Sequence, residues 1–174
     1  MGAVTIITGG SRSGKSAQAI TLAAATPEAA RRYFVATAEG RDEEMRARIA
    51  HHRAARPRSF ETIEEPLNVS VVLAALVGRA DVVVVDCLTL WIANLMGNGM
   101  ADDSILAEAD ALAEELARAP FISIVVTGEV GWGIVPENAV ARRYSDLLGW
   151  TNQKIARIAD TVLLMAAGCA LRVK

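Results

Sequence analysis

A glycine-rich segment near the N-terminus has the residue types and the spacing that bind phosphate. It reads Gly-Gly-Ser-Arg-Ser-Gly-Lys-Ser over residues 9–16 and fits the Walker A pattern G-x-x-x-x-G-K-[ST]. In this pattern the lysine, here Lys15, reaches the β and γ phosphates of a nucleoside triphosphate, and the following hydroxyl, here Ser16, ligates Mg²⁺. The predicted phosphate-binding residues are Gly9, Gly10, Ser11, Arg12, Ser13, Gly14, Lys15 and Ser16.

The sequence on either side supplies the structural context that this pattern needs. Residues 3–8 form an apolar run that predicts a strand, and residues 17–24 are helix formers. A strand that enters a loop at the N-terminus of a helix brings backbone N–H groups together around an anion. An ordinary glycine-rich turn would need neither the preceding strand nor the following helix. Their presence therefore favours nucleotide binding. It does not specify the reaction.

A second candidate lies at the end of a run of four valines. Residues 81–86 predict a buried strand that ends in Asp86. This is typical of a Walker B strand, whose carboxylate holds Mg²⁺, often through water, opposite the hydroxyl of the phosphate-binding loop. Buried strands often end in Asp without such a role, but the neighbouring phosphate-binding pattern favours the metal-binding interpretation.

The only two histidines, His51 and His52, fall near the end of a helix predicted from Asp42 to about Ala55. Adjacent helical residues point roughly 100° apart, so the pair cannot chelate one metal ion, and zinc is not expected. Arginines on either side disfavour the protonated imidazole, which leaves a nucleophilic nitrogen, and could also hold a phosphate. On these residues alone, a solvated surface pair remains the more common alternative.

Length and composition limit the class of protein. A chain of 174 residues predicts a single domain over 1–174. Its 52% hydrophobic and 22% charged residues exclude disorder and suit a sheet that is covered on both faces. With 18 basic and 20 acidic side chains, the net charge of −2 gives no drive toward nucleic acid or an anionic membrane.

The cysteines and the apolar segments indicate a cytoplasmic protein. Cys87 and Cys169 form no CxxC pair, which predicts reduced thiols. No charged leader precedes the phosphate-binding loop, and Asp86 interrupts the longest apolar region. We therefore expect neither a cleaved signal nor a membrane span.

The remaining elements alternate along the chain, which predicts an α/β fold with a mostly parallel sheet flanked by helices. Further strands are predicted at 33–37, 59–63 and 121–127, helices at 67–77, 88–96, 102–117 and 139–159, and a C-terminal β-hairpin at 160–173 around Gly168. Ala36, Thr37 and Ala38 end the second strand, where small residues leave room for a base or a ribose.

The loop over residues 128–138 follows a predicted buried strand and combines glycines with Trp132 and Pro136. Parallel sheets place substrate-handling segments at this edge, so we predict a loop that faces a substrate or forms an interface. A connector in which Trp132 fills a hydrophobic gap is an equally good interpretation.

The chain lacks the Asn-Lys-x-Asp segment with which signalling GTPases recognise guanine, so that class is disfavoured. Its size suits a small-molecule kinase in which arginines neutralise the transferring phosphoryl group. Two alternatives remain open. One is a plain kinase with surface histidines, and the other is a non-catalytic nucleotide-sensing module whose Trp132 loop binds a partner.

Taken in order, several segments resemble the bifunctional adenosylcobinamide kinase and adenosylcobinamide-phosphate guanylyltransferase family. They are residues 9–16, 36–38, 42–45 (DEEM), 48–52 (RIAHH) and 129–138 (EVGWGIVPEN). The resemblance spans essentially the whole chain. It implies phosphorylation of adenosylcobinamide with ATP or GTP, then transfer of GMP from GTP to adenosylcobinamide phosphate, giving adenosylcobinamide-GDP in cobalamin biosynthesis.

The resemblance also assigns roles to residues. It implies that His51 carries GMP covalently, that Lys15 is catalytic, that Ser16 and Asp86 bind Mg²⁺, and that the fold is a RecA-like P-loop NTPase that forms a homotrimer. Implied nucleotide contacts beyond residues 9–16 are Ala36, Thr37, Ala38, Arg53, Ala54, Ala55, Arg56, Glu64 and Asp86. Gly128 and Trp150 depart from the family pattern near the implied substrate side, so corrinoid contacts there need not match.

Overall fold

A seven-stranded sheet, in the order β3-β2-β4-β5-β1-β6-β7, organises the part of the chain that the structure describes. The computed structural model describes residues 1–40, 42–54 and 56–174, and the side chains of Arg48, His51 and His52 lie outside that description. The strands are β1 Val4–Gly9, β2 Arg32–Ala36, β3 Phe60–Glu64, β4 Val82–Asp86, β5 Ile122–Val126, β6 Thr161–Ala166 and β7 Cys169–Arg172. The helices are α1 Lys15–Ala24, α2 Glu43–Ala54, α3 Val69–Ala75, α4 Leu88–Gly97, α5 Asp102–Arg118 and α6 Ala139–Ile158.

The strand pairing confirms the predicted fold class. Strands β1 to β6 pair in parallel, and β7 pairs antiparallel to β6 as the predicted hairpin. Ala167 and Gly168 connect these last two strands with φ of 50° and 83°. Two consecutive positive φ angles define the tight two-residue turn that matches the twist of a hairpin.

The valines of β4 show how one sequence pattern serves both faces of the sheet. Val83 and Val85 join the apolar cluster beneath α3, α4, α5 and α6, while Val82 and Val84 join the cluster beneath α1. All four are buried. A parallel strand covered on both faces needs such an unbroken apolar run, so the run is explained by its position in the sheet.

The strand register aligns the predicted functional residues at one edge. Asp86 pairs with Ala36 on one side and with Val126 on the other, and Ala36 in turn pairs with Glu64. Val126 also pairs with Ile7, two residues before the phosphate-binding loop begins. Because these strands are parallel, their carboxyl ends bring Glu64, Asp86 and the loop to the same side of the sheet.

The helix boundaries differ from the predicted ones by one or two residues, for local reasons. The helix predicted at 67–77 begins at Val69, because the backbone N–H groups of Leu67 and Asn68 both donate to the carboxylate of Glu65. None of the described helices combines the length and the apolar character needed to cross a membrane.

Candidate functional site

A cavity of about 540 Å³ opens at the carboxyl edge of the sheet. The predicted site residues that line it are Gly9, Ser11, Arg12, Ser13, Gly14, Lys15, Ser16, Ala36, Ala38, Arg56, Glu64 and Asp86. Gly10, Thr37, Arg53 and Ala54 lie outside this lining, Ala55 lies outside the described residues, and so does the side chain of His51. One cavity thus brings the phosphate-binding loop, the end of β4 and the edge of β3 together.

The glycines at both ends of the loop have positive φ angles. Gly9 has a φ of 145°, and a Cβ there would lie 2.4 Å from the carbonyl oxygen of Met165. Gly14 has a φ of 96° and caps the N-terminus of α1. Other residues rarely adopt these angles, so the loop geometry depends on glycine at these two positions.

Lys15 begins α1 and bends back over the loop, with its Nζ donating to the carbonyl oxygen of Gly10 at 2.5 Å. Burial lowers the pKa of Lys15, and the negative charge of Asp86 opposes that shift. A desolvated ammonium gains more from an anionic partner than an exposed one does. A triphosphate in the cavity would supply such a partner.

Two buried polar atoms of the cavity wall fit an anion. The Oγ of Ser13 and the Nε of Arg56 have no hydrogen-bond partner among the described residues. Buried donors in folded proteins are nearly always paired, so orphaned donors in a cavity wall indicate a ligand or water. The residues of the loop therefore fit a bound phosphate group.

Ser16 and Asp86 line the same cavity and offer a hydroxyl and a carboxylate. Among the described residues, no group of three or more His, Cys, Asp or Glu side chains is arranged to hold a metal ion by itself. Mg²⁺ prefers oxygen ligands and is usually bound by one or two protein groups together with substrate phosphates. The donor set therefore fits Mg²⁺ that arrives with a nucleotide.

Thr37 lies behind the cavity wall. Its side chain is fully buried, and its Oγ1 donates to the carbonyl oxygen of Cys87 and accepts from the N–H of the same residue. Its own N–H donates to the carbonyl oxygen of Asp86, and its own carbonyl oxygen accepts from Asn94. These bonds occupy its polar groups, so Thr37 positions the end of β4.

Arg56 occupies the wall between β2 and β3. Its guanidinium carbon lies 3.8 Å from the ring centroid of Phe34, and its Nη1 donates to Thr62 Oγ1 at 3.2 Å. Burial lowers the pKa of Arg56, and the negative charges of Asp86 and Glu64 partly offset that shift. Arg53 and Glu64 form an exposed ion pair at 2.9 Å at the rim. The arginines thus form a cationic border at this side of the cavity.

Helix α2 borders the opening of the cavity. Met45 and Ile49, one turn apart, line it and are half-buried, while the other described residues of α2 are exposed. Helix α2 therefore has a narrow apolar stripe that faces the cavity. His51 belongs to the same helix and follows Ile49 by two residues.

Glu129 opens the segment 129–138 that resembles the family, although the sequence analysis gives it no role of its own, and it also lines the cavity. Its Oε1 accepts from the hydroxyl of Thr8 at 2.8 Å, and its N–H donates to the carbonyl oxygen of Gly9 at 3.2 Å. The available signal was its position just after a buried strand. That strand pairs with β1, which places Glu129 beside the phosphate-binding loop.

The loop that follows carries exposed apolar side chains. Trp132 is 73% exposed and Ile134 is 97% exposed. The alternative in which Trp132 fills a hydrophobic gap is therefore wrong. The loop ends at Asn138, whose side chain accepts from the N–H groups of Val140 and Ala141 and so caps α6.

Comparisons with known proteins agree over nearly the whole chain. A model of the family described as cobinamide kinase / cobinamide phosphate guanyltransferase matches residues 5–173. The bifunctional adenosylcobalamin biosynthesis protein CobP of Pseudomonas aeruginosa is 41% identical over 97% of this chain and 96% of its own length. The bifunctional adenosylcobalamin biosynthesis protein CobU of Escherichia coli is 34% identical over 97% of this chain and 98% of its own length.

A solved structure of an ATPase from a bacterial type III secretion system is similar in fold. It matches with a TM-score of 0.62 at 13% identity, over 99% of this chain and 57% of the ATPase chain. This chain thus spans little more than half of that ATPase. The likeness supports the P-loop NTPase-type fold and nothing beyond it.

Proposed function

The chain belongs to the cobinamide kinase / cobinamide phosphate guanyltransferase family, and from that membership we propose that it catalyses two consecutive reactions within a single domain, residues 1–174. The first phosphorylates adenosylcobinamide with ATP or GTP. The second transfers GMP from GTP to the adenosylcobinamide phosphate, giving adenosylcobinamide-GDP in cobalamin biosynthesis. The observation that carries the proposal is the single cavity that joins residues 9–16 to α2 through Met45 and Ile49.

In the phosphoryl-transfer reaction, the loop amides and Lys15 bind the β and γ phosphates. The guanidinium of Arg56, already desolvated against Phe34, neutralises charge that spreads over the phosphate oxygens. Ser16 and Asp86 would hold Mg²⁺, which when bound supplies further neutralisation at the bridging oxygen. Positioning and charge stabilisation are the main requirements of this reaction class.

In the guanylyl-transfer reaction, the imidazole of His51 attacks the α phosphorus of GTP. A nitrogen–phosphorus bond forms, the bond to the oxygen that bridges the α and β phosphates breaks, and pyrophosphate leaves. An oxygen of adenosylcobinamide phosphate then attacks the same phosphorus and releases the histidine. Helix α2 supports this role because it borders the cavity through Met45 and Ile49.

The proposed nucleotide contacts outside residues 9–16 are those that the family resemblance implies. They are Ala36, Thr37, Ala38, Arg53, Ala54, Ala55, Arg56, Glu64 and Asp86. Ala36 and Ala38 fit a direct contact because they line the cavity. Thr37 acts through its neighbours, since its side chain is turned to Cys87.

The covalent intermediate can be tested with GTP labelled at the α phosphate. We expect acid-labile label on the protein, lost in His51→Ala and retained in His52→Ala, which is the matched control on the adjacent residue. Equal labelling of His51→Ala, or label acquired only from γ-labelled GTP, would contradict the guanylyl-histidine. Phosphorylation of adenosylcobinamide without any guanylylated product would favour the plain kinase.

A nucleotide-sensing module remains the second candidate, because exposed Trp132, Ile134 and Val135 offer a surface to a partner. This function predicts tight nucleotide binding without turnover. Steady GTP consumption in the presence of adenosylcobinamide would exclude it.

The homotrimer that the resemblance implies also stays a proposal, as does a cytoplasmic location. Exposed apolar side chains on the loop after β5 support the oligomer. The free thiols of Cys87 and Cys169 support the cytoplasmic location. Sedimentation equilibrium would measure the oligomer directly, and a concentration-independent monomer mass would exclude the trimer.

A further inference from the structure

Three described carboxylates line the cavity, and two of them have other partners. Glu64 pairs with Arg53 at 2.9 Å. Asp86 ends β4 at the place that fits Mg²⁺ and lies close enough to Lys15 to affect its pKa. Glu129 remains, next to the first residue of the phosphate-binding loop.

Hydrogen bonds give the carboxylate of Glu129 one engaged and one available oxygen. The buried hydroxyl of Thr8 donates to Oε1 at 2.8 Å. No described residue donates a hydrogen bond to Oε2. Glu129 is half-buried, and Thr8 holds its Oε1. Its Oε2 is therefore the oxygen that can accept a proton from a group inside the cavity.

The backbone that carries Glu129 is held on both sides. Asn152 of α6 donates from Nδ2 to the carbonyl oxygen of Gly128 at 3.0 Å, and its Oδ1 accepts from Thr127 Oγ1 at 2.6 Å. A Cβ on Gly128 would lie 3.1 Å from Thr89 Oγ1, so the segment packs closely against α4. A base mounted on such fixed backbone needs little reorganisation.

We propose that Glu129 is the general base of the phosphoryl-transfer reaction, an inference that rests on the proposed function. Its Oε2 takes the proton of the acceptor hydroxyl while that oxygen bonds to the γ phosphorus. The bond between the γ phosphorus and its bridging oxygen breaks, and the nucleoside diphosphate leaves with that electron pair. Glu129 then returns the proton to solvent.

The guanylyl-transfer reaction does not need this base. Its acceptor is a phosphate group that is largely ionised near neutral pH, so no hydroxyl proton has to be removed. Loss of Glu129 should therefore separate the two reactions. A residue that served only the fold, or the nucleotide, would affect both.

The test is Glu129→Gln, which keeps the shape and the bond to Thr8 but removes the basic oxygen. We expect single-turnover phosphorylation of adenosylcobinamide to fall by roughly 10²–10⁴-fold, the range of general base catalysis. Labelling of His51 from α-labelled GTP should stay within about twofold, well below one power of ten in rate. Glu28→Gln, the same change at an exposed position outside the cavity lining, is the control and should leave both rates unchanged.

The hydroxyl that donates to Oε1 offers a second test, because it holds the carboxylate without belonging to it. Thr8→Val should weaken phosphorylation by a smaller factor, and Thr8→Ser should restore it, because only the hydroxyl orients Oε1.

Each outcome decides between the proposals. Equal phosphorylation rates for wild type and Glu129→Gln would overturn the inference while leaving the proposed function intact. A parallel loss of both reactions, with weakened binding of the Mg²⁺–nucleotide complex, would also overturn it, since Glu129 would then serve nucleotide binding. Failure of the wild-type protein to phosphorylate adenosylcobinamide would contradict the proposed function itself.

Discussion

The hydroxyl of Thr37 is bonded twice to the backbone of Cys87, at 2.7 Å to its carbonyl oxygen and at 2.8 Å to its N–H. A single side chain, directly after β2, thereby fixes the segment that follows Asp86. Asn94 of α4 holds the backbone of Thr37 from the other side, at 2.7 Å. The orientation of the proposed metal-binding carboxylate therefore depends on a chain of buried hydrogen bonds behind the cavity wall.

Thr37→Val should therefore lower both stability and affinity for the Mg²⁺–nucleotide complex. It leaves the N–H of Cys87 without its partner, while the carbonyl oxygen keeps its bond from the N–H of Trp91. An unsatisfied buried donor costs about 1–3 kcal/mol. Thr37→Ser keeps the hydroxyl and should restore both properties. Urea unfolding and calorimetric titration would measure the two effects, and unchanged affinity in a folded Thr37→Val variant would contradict the positioning role.

The same substitution should be damaging at one of the two adjacent glycines that start the phosphate-binding loop and harmless at the other. Gly9→Ala places a Cβ 2.4 Å from the carbonyl oxygen of Met165, at a φ of 145° that alanine rarely adopts. Gly10→Ala meets no atom within 4 Å. We expect Gly9→Ala to lose nucleotide binding or fold poorly. We expect Gly10→Ala to have the same denaturant midpoint of unfolding as the wild-type protein. Poor folding of both variants would contradict this account of the loop.

The sequence predicted most of the sheet because its signals are local. The valine run before Asp86 and the strand before Gly9 have the composition of buried parallel strands, and the structure places both in the sheet. The turn at Gly168 was also visible, since a glycine between two β-rich runs indicates a hairpin. Each of these features is determined by residues that are close together in the sequence.

Glu129 and Thr37 show what such signals cannot give. Glu129 acquires its place from the pairing of β5 with β1, and Thr37 acquires its role from a hydrogen bond across fifty positions of the sequence. Neither relation produces a periodic pattern in the amino-acid sequence. Arg56 is similar, because its stacking on Phe34 requires β2 and β3 to be neighbours.

The cap of α6 sets the end of the exposed loop after β5. Asn138 accepts from Val140 N at 2.8 Å and from Ala141 N at 3.3 Å. Asn138→Ala should reduce the free energy of unfolding by about 1 kcal/mol, while Asn138→Asp, which retains a capping oxygen, should stay near wild type. Denaturant titration would measure the difference. An alanine variant as stable as wild type would show that the cap contributes nothing.

The ion pair of Arg31 with Asp81 predicts a pH dependence of stability. Its hydrogen bonds hold the pKa of Asp81 at about 2, below the ordinary 3.8. A depressed carboxylate pKa stabilises the folded state fully above the unfolded value, and that contribution disappears as pH falls from 3.8 toward 2. Asp81→Asn should therefore be slightly less stable than wild type at pH 6, because the pair is exposed, and should approach it as pH falls below 2. A difference that is as large well below pH 2 as at pH 6 would contradict the assignment.

Lys15 should be required for both proposed reactions, because a single loop serves both. Lys15→Ala should weaken binding of ATP and GTP and reduce phosphorylation and guanylylation together. Lys174→Ala, whose side chain bonds carbonyl oxygens at the end of α6, is the control. Burial lowers the pKa of Lys15, so nucleotide binding by the wild-type protein should weaken as pH rises through a value below 10.5, and Lys15→Ala should lose that dependence. A Lys15→Ala variant that still formed the guanylyl-histidine at the wild-type rate would place the two reactions at separate sites.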